Sequence, residues 1–325
     1  MPPRLPNIVE CVPNFSEGRD RNKVDEIAAA ISSVEDVYVL DIHMDADHHR
    51  SVITFVGSTE TVGEATVRAV GRAAALIDMN RHHGEHPRIG AADVIPFIPV
   101  ERVTLEDCAA LARDTGKEIH RRFQIPVYFY EAAASRPERV HLENLRRGGL
   151  ERLKKQGMDD PSSRPDVGEP ALHPTAGATV VGARKFLVAF NVNLNSADRE
   201  VARQIAWTIR STSRSPGGGL QGVKAMGVLL KSRTGNGTAG QAQVSQVSMN
   251  LTDMEQTSLL QAFHAVQREA SRLGVSIRNS EVVGLIPETA LAGTSLESFQ
   301  ESLQIEAFHP QKILENRLAA VLPRG

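Results

Sequence analysis

The hydrophobic positions of the first 131 residues switch between the two-residue period of a strand and the longer period of a helix. "NIVECVPNF" is an apolar run closed by Pro13 and Asn14, and predicts a first strand. In "SEGRDRNKVDEIAAAIS", Val24, Ile27, Ala28 and Ile31 fall at helical spacing. "VYVLDIH" and "RSVITFVGS" read as two strands joined by the polar loop "MDADHH". "TETVGEATVRAVGRAAALIDM" is an Ala-rich helix, and "ADVIPFIPV" a strand whose prolines point to a sheet edge. "TLEDCAALARDTGKEIHRRF" is a helix with Thr104 and Asp107 placed as a cap, and "IPVYFYE" a closing strand. The order β-α-β-β-α-β-α-β is that of a split βαβ core with an added helix.

Residues 131–176 lose this rhythm. "SRPERVHLENLRRGGLERLKKQ" is charged and helical in places, and "GMDDPSSRPDVGEPALHPTAGA" is rich in Pro, Gly, Ser and Asp. A connector this long and punctuated is expected to carry function. The second half then restarts. "RKFLVAFNVNLN" predicts a strand, "ADREVARQIAWTIRST" a helix, and "GVKAMGVLL" and "QVSQVSMNLT" two strands. "DMEQTSLLQAFHAVQREASRLG" follows as a helix and "VSIRNSEVVGLIP" as a strand pair. The same β-α-β-β-α-β order recurs without a convincing sequence repeat. The Gly-rich stretches "RSPGGGLQG" and "SRTGNGTAGQ" fit neither a phosphate loop nor a dinucleotide fingerprint.

Composition adds limits. A chain of 325 residues suits two domains. A formal charge of −2 and 4% aromatic residues argue against a nucleic-acid binder. Cys11 and Cys108, both in apolar contexts, read as buried thiols rather than a disulfide framework. No apolar run suits a signal peptide or a membrane span, so a cytoplasmic protein is expected.

Titratable chemistry concentrates in "RHHGEHPRIG", residues 81–90. Gly84 and Pro87 forbid a continuous helix through His82, His83 and His86, which removes the helical zinc face that the spacing of His82 and His86 would otherwise give. Imidazole takes and gives a proton near neutral pH. A solvated, histidine-rich turn is the plain alternative. "HMDADHHR", residues 43–50, mixes His43, Asp45, Asp47, His48 and His49 in a pattern open to a metal site or an ordinary turn; Arg50 at its exit could hold a carboxylate. In the second half the alternation places Gln246, Ser248 and Asn250 on one sheet face, and Asn191 and Asn193 likewise. Amides offer donors and acceptors together, which suits a heterocycle edge; a solvated sheet face gives the same pattern. "LRRGGLERLKKQ", residues 145–156, could pair with an acidic ligand tail or be a solvated helix face.

At these residues the chain resembles a known family. "VECVPNFSEG", "LIDM", "GEHPRIGAADVIPFIPV", "IPVYFYE", "GATVVGARKFLVAFNVNL" and "QVSMNLTD" are similar, in this order, to the formiminotransferase domain of glutamate formimidoyltransferases, from about residue 8 to the C-terminus. The resemblance implies an α/β (α+β) fold of two ferredoxin-like βαββαβ sandwich subdomains with a ligand groove between them. It divides the chain into an N-terminal subdomain with connector, 1–178, and a C-terminal subdomain, 179–325. It implies transfer of a formimino group between N-formimino-L-glutamate and tetrahydrofolate in histidine degradation, with His86 as the catalytic proton relay.

The family's folate segment falls on Gly168, Glu169, Pro170, Ala171, Leu172, His173, Pro174, Thr175, Ala176 and Gly177. Arg88 and Arg184 match positions that could hold carboxylates; with Arg50, Asn191, Gln246, Ser248 and Asn250 they complete the expected binding set. Tetrahydrofolate is expected as a substrate, with no metal or nucleotide, and the partners as small molecules, without nucleic acid or membrane. A homodimer with the cyclodeaminase on a separate chain is the expected state. The chain departs from animal members at Ala176, where they carry an aromatic residue, at His43, where they carry an aspartate, and in an apparent insertion over 231–243. The competing readings are a metal-dependent amidohydrolase built on His43, Asp45, His48 and the 82–86 histidines, and a non-catalytic folate-binding protein.

Overall fold

The computed structural model describes residues 5–46, 48–84, 87–157, 160–213, 218–231 and 243–322. The chain divides into two compact units, one made of the residues up to Lys185 with those from Val321 onward and one spanning Phe186–Ala320. In the first, strands β1 (Ile8–Cys11) and β2 (Asn14–Phe15) are two pieces of one interrupted strand. Helix α1 (Arg21–Ser32), strands β3 (Tyr38–Asp45) and β4 (Arg50–Gly57), helix α2 (Val62–Leu76) and strand β5 (Ala92–Glu101) follow. The antiparallel order is β5–β1/β2–β4–β3, with the last strand of the βαββαβ set beside the first, as in a ferredoxin-like sandwich. Helix α3 (Leu105–Phe123) starts on the expected capping box of Thr104 and Asp107, a device that contributes about 1 kcal/mol.

The sheet does not stop at β5. Strands β6 (Val127–Glu131) and β7 (Thr179–Ala183) extend it, β7 lying parallel between β5 and β6. Two corrections follow. "ADVIPFIPV" is interior rather than an edge. Pro96 sits where β1 gives way to β2 and accepts from the Val12 N–H (3.3 Å), while Pro99 adjoins a register shift against β1. Prolines are tolerated at such irregularities. The division between units also falls at Lys185 rather than at 178, because "TVVGA" belongs to the first sheet.

One face of this sheet packs Val9, Phe15, Phe55, Ile95 and Phe97 against the three helices. The connector covers part of the other face. Helices α4 (Leu142–Arg146) and α5 (Gly149–Gln156) bring Leu145 and Leu153 onto Val94, Tyr128, Tyr130 and Val180. The edge of β6 is closed by Val167, whose carbonyl accepts from the Val127 N–H.

The second unit contains β8 (Val188–Leu194), α6 (Arg199–Ile209), β9 (Val223–Lys231), β10 (Gln243–Leu251), α7 (Leu259–Arg272) and β11 (Ile277–Val283). Its antiparallel order, β11–β8–β10–β9, repeats the first unit's arrangement. "VSIRNSEVVGLIP" is thus one strand rather than a pair; the described chain beyond it adds isolated bridges, Ser280 to Ile305 and Ile286 to Ile313. Helices α8 (Leu296–Leu303) and α9 (Leu314–Val321) follow. The 231–243 insertion lies outside the described residues apart from its ends. No helix among the described residues is long and apolar enough to cross a membrane. Both cysteines are free and buried, and burial pushes the Cys108 thiol up to about 12.

Candidate active site

The predicted helix through Met79 ends early. Ile77 turns extended and is buried, and the Met79 N–H leaves for the Thr175 carbonyl (2.8 Å). The chain then enters the histidine loop, which four other segments hold. Ser16 Oγ donates to the Gly90 carbonyl (2.7 Å), and Ser16 N–H to Ala91 (2.8 Å). His48 and His49 press against Gly84, where a Cβ would meet the His48 carbonyl at 2.6 Å, so only glycine fits. Gly18 has the same constraint, a Cβ lying 2.2 Å from the Asp45 carbonyl. The Arg88 carbonyl accepts from the Leu150 N–H (2.9 Å).

A chain of charged and aromatic groups runs through this frame. Glu17 Oε1 accepts from the backbone N–H groups of Arg19 and Asp20 and lies 3.1 Å from His49 Nε2. His49 Nδ1 donates to the His83 carbonyl (2.9 Å). Its ring stacks on His82 at 4.3 Å between centroids. His82 is buried; its Nε2 donates to the His49 carbonyl (3.0 Å) and its Nδ1 accepts from Arg88 Nε (3.0 Å), the pattern of a neutral ring. Burial, joined by the charges of His49 and Arg88, holds its pKa below the usual histidine value. Burial would raise the Glu17 carboxyl, but backbone donation from Asp20 and Arg19, with His49 and Lys23, outweighs it and leaves the group below the usual carboxylate value.

Beside this chain lies an acid–base cluster. Asp45 receives the His48 N–H (2.9 Å) and His48 Nδ1 (2.7 Å). These, with Arg50, overcome the effect of burial and lower its pKa. Arg50 faces Asp45 across the β3–β4 pair, and burial beside the charge of Arg146 draws its guanidinium pKa down. Arg146 pairs with Asp93, whose other oxygen accepts from the Ile89 N–H (2.7 Å) at the loop exit.

The expected folate segment meets the loop on both flanks. Thr175 and Pro174 carbonyls accept from Met79 N–H and Asn80 Nδ2, and Ala176 and Ala178 pair with Ala91 and Ile89. His173 Nδ1 accepts from the Ala176 N–H (2.9 Å), and burial lowers its pKa. Gly168, Glu169 and Ala171 are exposed, Pro170 and Thr175 half-buried, and Pro174 exposed. Ala176 is buried in the main core and Leu172 packs against it, so these two side chains hold the segment in place. Gly177 takes a left-handed conformation.

Arg88 uses its donors on His82 and on Glu151 (2.8 Å), a clamp rather than a free anion holder. Arg184 ends β7 beside buried Tyr130, whose phenol burial pushes up to about 12 against the charge of Arg184. Its Nη1 donates to the Lys185 carbonyl (3.0 Å). Glu85 and His86 lie outside the described residues, as does Asp47; their neighbours on both sides are the residues framed above. Among the described residues no three His, Cys, Asp or Glu side chains gather as a metal-ligand set.

The second unit bears the expected amide face. Its apolar β8 residues, Val188, Phe190, Val192 and Leu194, enter the core, and Asn191 and Asn193 point the other way. Gln246 Nε2 donates to Asn193 Oδ1 (2.9 Å) and Glu281 Oε1 (3.1 Å), and Asn191 Nδ2 donates to the same Glu281 oxygen (3.1 Å). Asn193 Nδ2 donates onward to Asn279 (2.7 Å). Ser248 and Asn250 continue the row, and Met226 stands 61% exposed opposite Ser248. Glu17, Arg146, Asn279, Glu281 and Met226 were not singled out from sequence. The alternation in "IRNSEVV" would have flagged two of them; nothing local flags Glu17 or Arg146.

A ferredoxin-like pair of α/β units, one with a histidine–arginine loop in a polar frame and one with an amide-lined sheet, has side chains suited to a small-molecule enzyme. Two family models cover the chain: the N-terminal subdomain of the formiminotransferase domain matches residues 8–184 and the formiminotransferase domain matches residues 189–313. The chain belongs to the formiminotransferase family. It is 41% identical over 315 residues to the glutamate formimidoyltransferase of Streptococcus pyogenes serotype M1, covering 97% of this chain and 99% of that protein. It is 42% identical over 313 residues to the glutamate formimidoyltransferase of Thermoplasma acidophilum, covering 96% and 97%. Against the mouse formimidoyltransferase-cyclodeaminase it is 39% identical over 318 residues, covering 97% of this chain and 57% of that protein.

Proposed function

We propose that the chain is a glutamate formimidoyltransferase, moving the formimino group between N-formimino-L-glutamate and tetrahydrofolate. The observation that carries the reading is that His82, Gly84 and residues 88–91, on either side of positions 85–86, are held by Ser16, His48 and the 173–178 segment, in a family whose full-length relatives bear that name. The amine of tetrahydrofolate attacks the amidine carbon, and the tetrahedral adduct expels the glutamate amine. The attacking nitrogen loses a proton and the leaving nitrogen gains one. His86, between Glu85 and Pro87, is the proposed relay. Asp45, kept ionised by His48 and Arg50, is suited to stabilise the cationic amidine.

Binding residues are proposed on each unit: segment 168–177 with Arg50 and Arg184 on the first, and Asn191, Gln246, Ser248 and Asn250 on the second. Arg88 is proposed as the clamp of the loop. A homodimer in the cytoplasm remains part of the proposal. The test is turnover of purified protein with N-formimino-L-glutamate and tetrahydrofolate, with ammonia and formate followed in parallel. Formimidoyltetrahydrofolate and glutamate in equal amounts are expected. Ammonia release independent of tetrahydrofolate would assign a hydrolase instead, and folate binding without turnover a non-catalytic protein.

A further inference from the structure

The basic stretch "LRRGGLERLKKQ" is not absorbed by the reaction above, and it has a specific structure. Helix α4 stops at Arg146, and Gly148 and Gly149, the cap and first residue of α5, both adopt left-handed conformations (φ 75° and 61°). This break brings Arg152 back over the bend: a Cβ on Gly148 would lie 2.8 Å from the Arg152 Cβ. Arg147 and Arg152 thereby face the same cavity of about 300 Å³, whose wall also includes Arg139, Tyr128, Asn144 and Ser162.

The wall is built rather than merely solvated. Arg139 is 1% exposed, lies 5.2 Å over the Tyr128 ring, pairs with Asp166 and donates to the Arg164 carbonyl. Its Nε is nevertheless buried with no acceptor, and so is the Nε of Arg152. Buried N–H donors without partners are rare in folded proteins, and two occur in this wall. The cavity wall holds three guanidiniums and one carboxylate, that of Glu138; Asp166 neutralises one guanidinium from behind. Planar guanidinium forks match the oxygens of carboxylate and phosphate groups. The volume sits at the lower limit of ligand sites, which suits a small anion or one end of a larger molecule.

We propose that this cavity is an anion site for the carboxylate or phosphate group of a small molecule. It is separate from the histidine loop but shares its supports. Arg146 and Glu151 face the loop, through Asp93 and Arg88, while their sequence neighbours Arg147 and Arg152 face the cavity. Two sources share the required chemistry: a free phosphate-bearing molecule, or the acidic tail of the folate substrate. Only the second rests on the proposed reaction.

Calorimetry on the full chain, with inorganic phosphate and with a glutamate tripeptide as probes, tests the site without reference to activity. At least one probe should bind with a salt-dependent Kd at or below about 1 mM. The Arg147→Ala/Arg152→Ala double variant should bind it at least about tenfold more weakly, with an unchanged circular dichroism spectrum. Arg147 is exposed, so Arg147→Ala alone serves if the double variant misfolds. Binding of phosphate but not tripeptide assigns a free phosphate-bearing ligand. Binding of the tripeptide, with a raised KM for a triglutamyl but not a monoglutamyl tetrahydrofolate in the variant, assigns the tail. Failure of both probes to bind, or equal binding by wild type and variant, overturns the site; loss of turnover with binding intact would instead count against the proposed reaction.

Discussion

The two units use one strand order for different chemistry. Each packs its long helices on one sheet face and carries a row of polar residues on the other. In the first unit that other face carries Asp41, His43, Asp45 and Arg50 and is flanked by the histidine loop. In the second it carries Asn191, Asn193, Gln246, Asn279 and Glu281, four amides and one carboxylate joined by hydrogen bonds. Titratable groups in a tight frame suit proton movement and charge; a row of amides suits reading a heterocycle's edge. The added strands β6 and β7 explain how the first unit supports its loop. They supply the surface on which α4 and α5 rest, and α5 in turn supports Arg88. In the second unit, whose sheet has four strands, the described residues hold no such layer.

This division of labour can be broken by substitution. The largest effect is expected at His86, where loss of a general acid–base costs about 10²–10⁴-fold in rate. Steady-state kinetics of His86→Ala should show that fall in kcat, while folate affinity stays near wild type. Arg88→Ala comes next. Charge-assisted hydrogen bonds are worth about 1.5–3 kcal/mol, and here they go to His82 and Glu151. Differential scanning calorimetry should show a lower melting temperature together with a fall in kcat. A raised KM with unchanged stability would make Arg88 an anion holder after all.

On the amide face the expectation reverses. Gln246→Leu removes bonds to Asn193 and Glu281. KM for tetrahydrofolate should rise about tenfold, equivalent to about 1.4 kcal/mol, with kcat nearly unchanged. A fall in kcat alone would put proton chemistry on the second unit.

The smallest effect is a pH dependence of stability. His82 and His173 are held below the usual histidine pKa, chiefly by burial, and Glu17 and Asp45 below the usual carboxylate value. Each takes a proton less readily folded than unfolded, so its contribution is complete above the unfolded pKa and lost as pH falls through the folded one. The histidine part should begin to fade below about pH 6.5 and the carboxylate part below about pH 4. Melting curves from pH 7 to 5 should shift down by a few degrees, about 2–4 °C per kcal/mol, and His82→Gln should reduce the shift. All four groups lie in the first unit, so melting that is flat over this range would remove one distinction between the units.

Much of this was readable from sequence where period and capping agree. Thr104 and Asp107 mark α3, and the alternation of Asn191, Asn193, Gln246, Ser248 and Asn250 marks the amide face. What escaped has physical causes. "TVVGA" is buried on both faces between parallel neighbours, so it shows no alternation. Pro96 and Pro99 suggested an edge because Pro13 read as the end of the first strand rather than as an interruption between β1 and β2 opposite them. The contact of Glu17 with His49 joins residues 32 apart through two turns, beyond any local pattern. The clamp role of Arg88 depends on Glu151, which lies in a helix 63 residues away.

The central proposal is that His86 moves the proton. The pH dependence of kcat for wild type and for the His86→Ala protein tests it most directly. The wild-type rate should fall on the acid side with an apparent pKa near that of histidine, about 6.5, and that limb should vanish in the variant. An unchanged acid limb in the variant, or retention of more than about a tenth of the rate, would contradict the account and move the relay to another group, His48 beside Asp45 first.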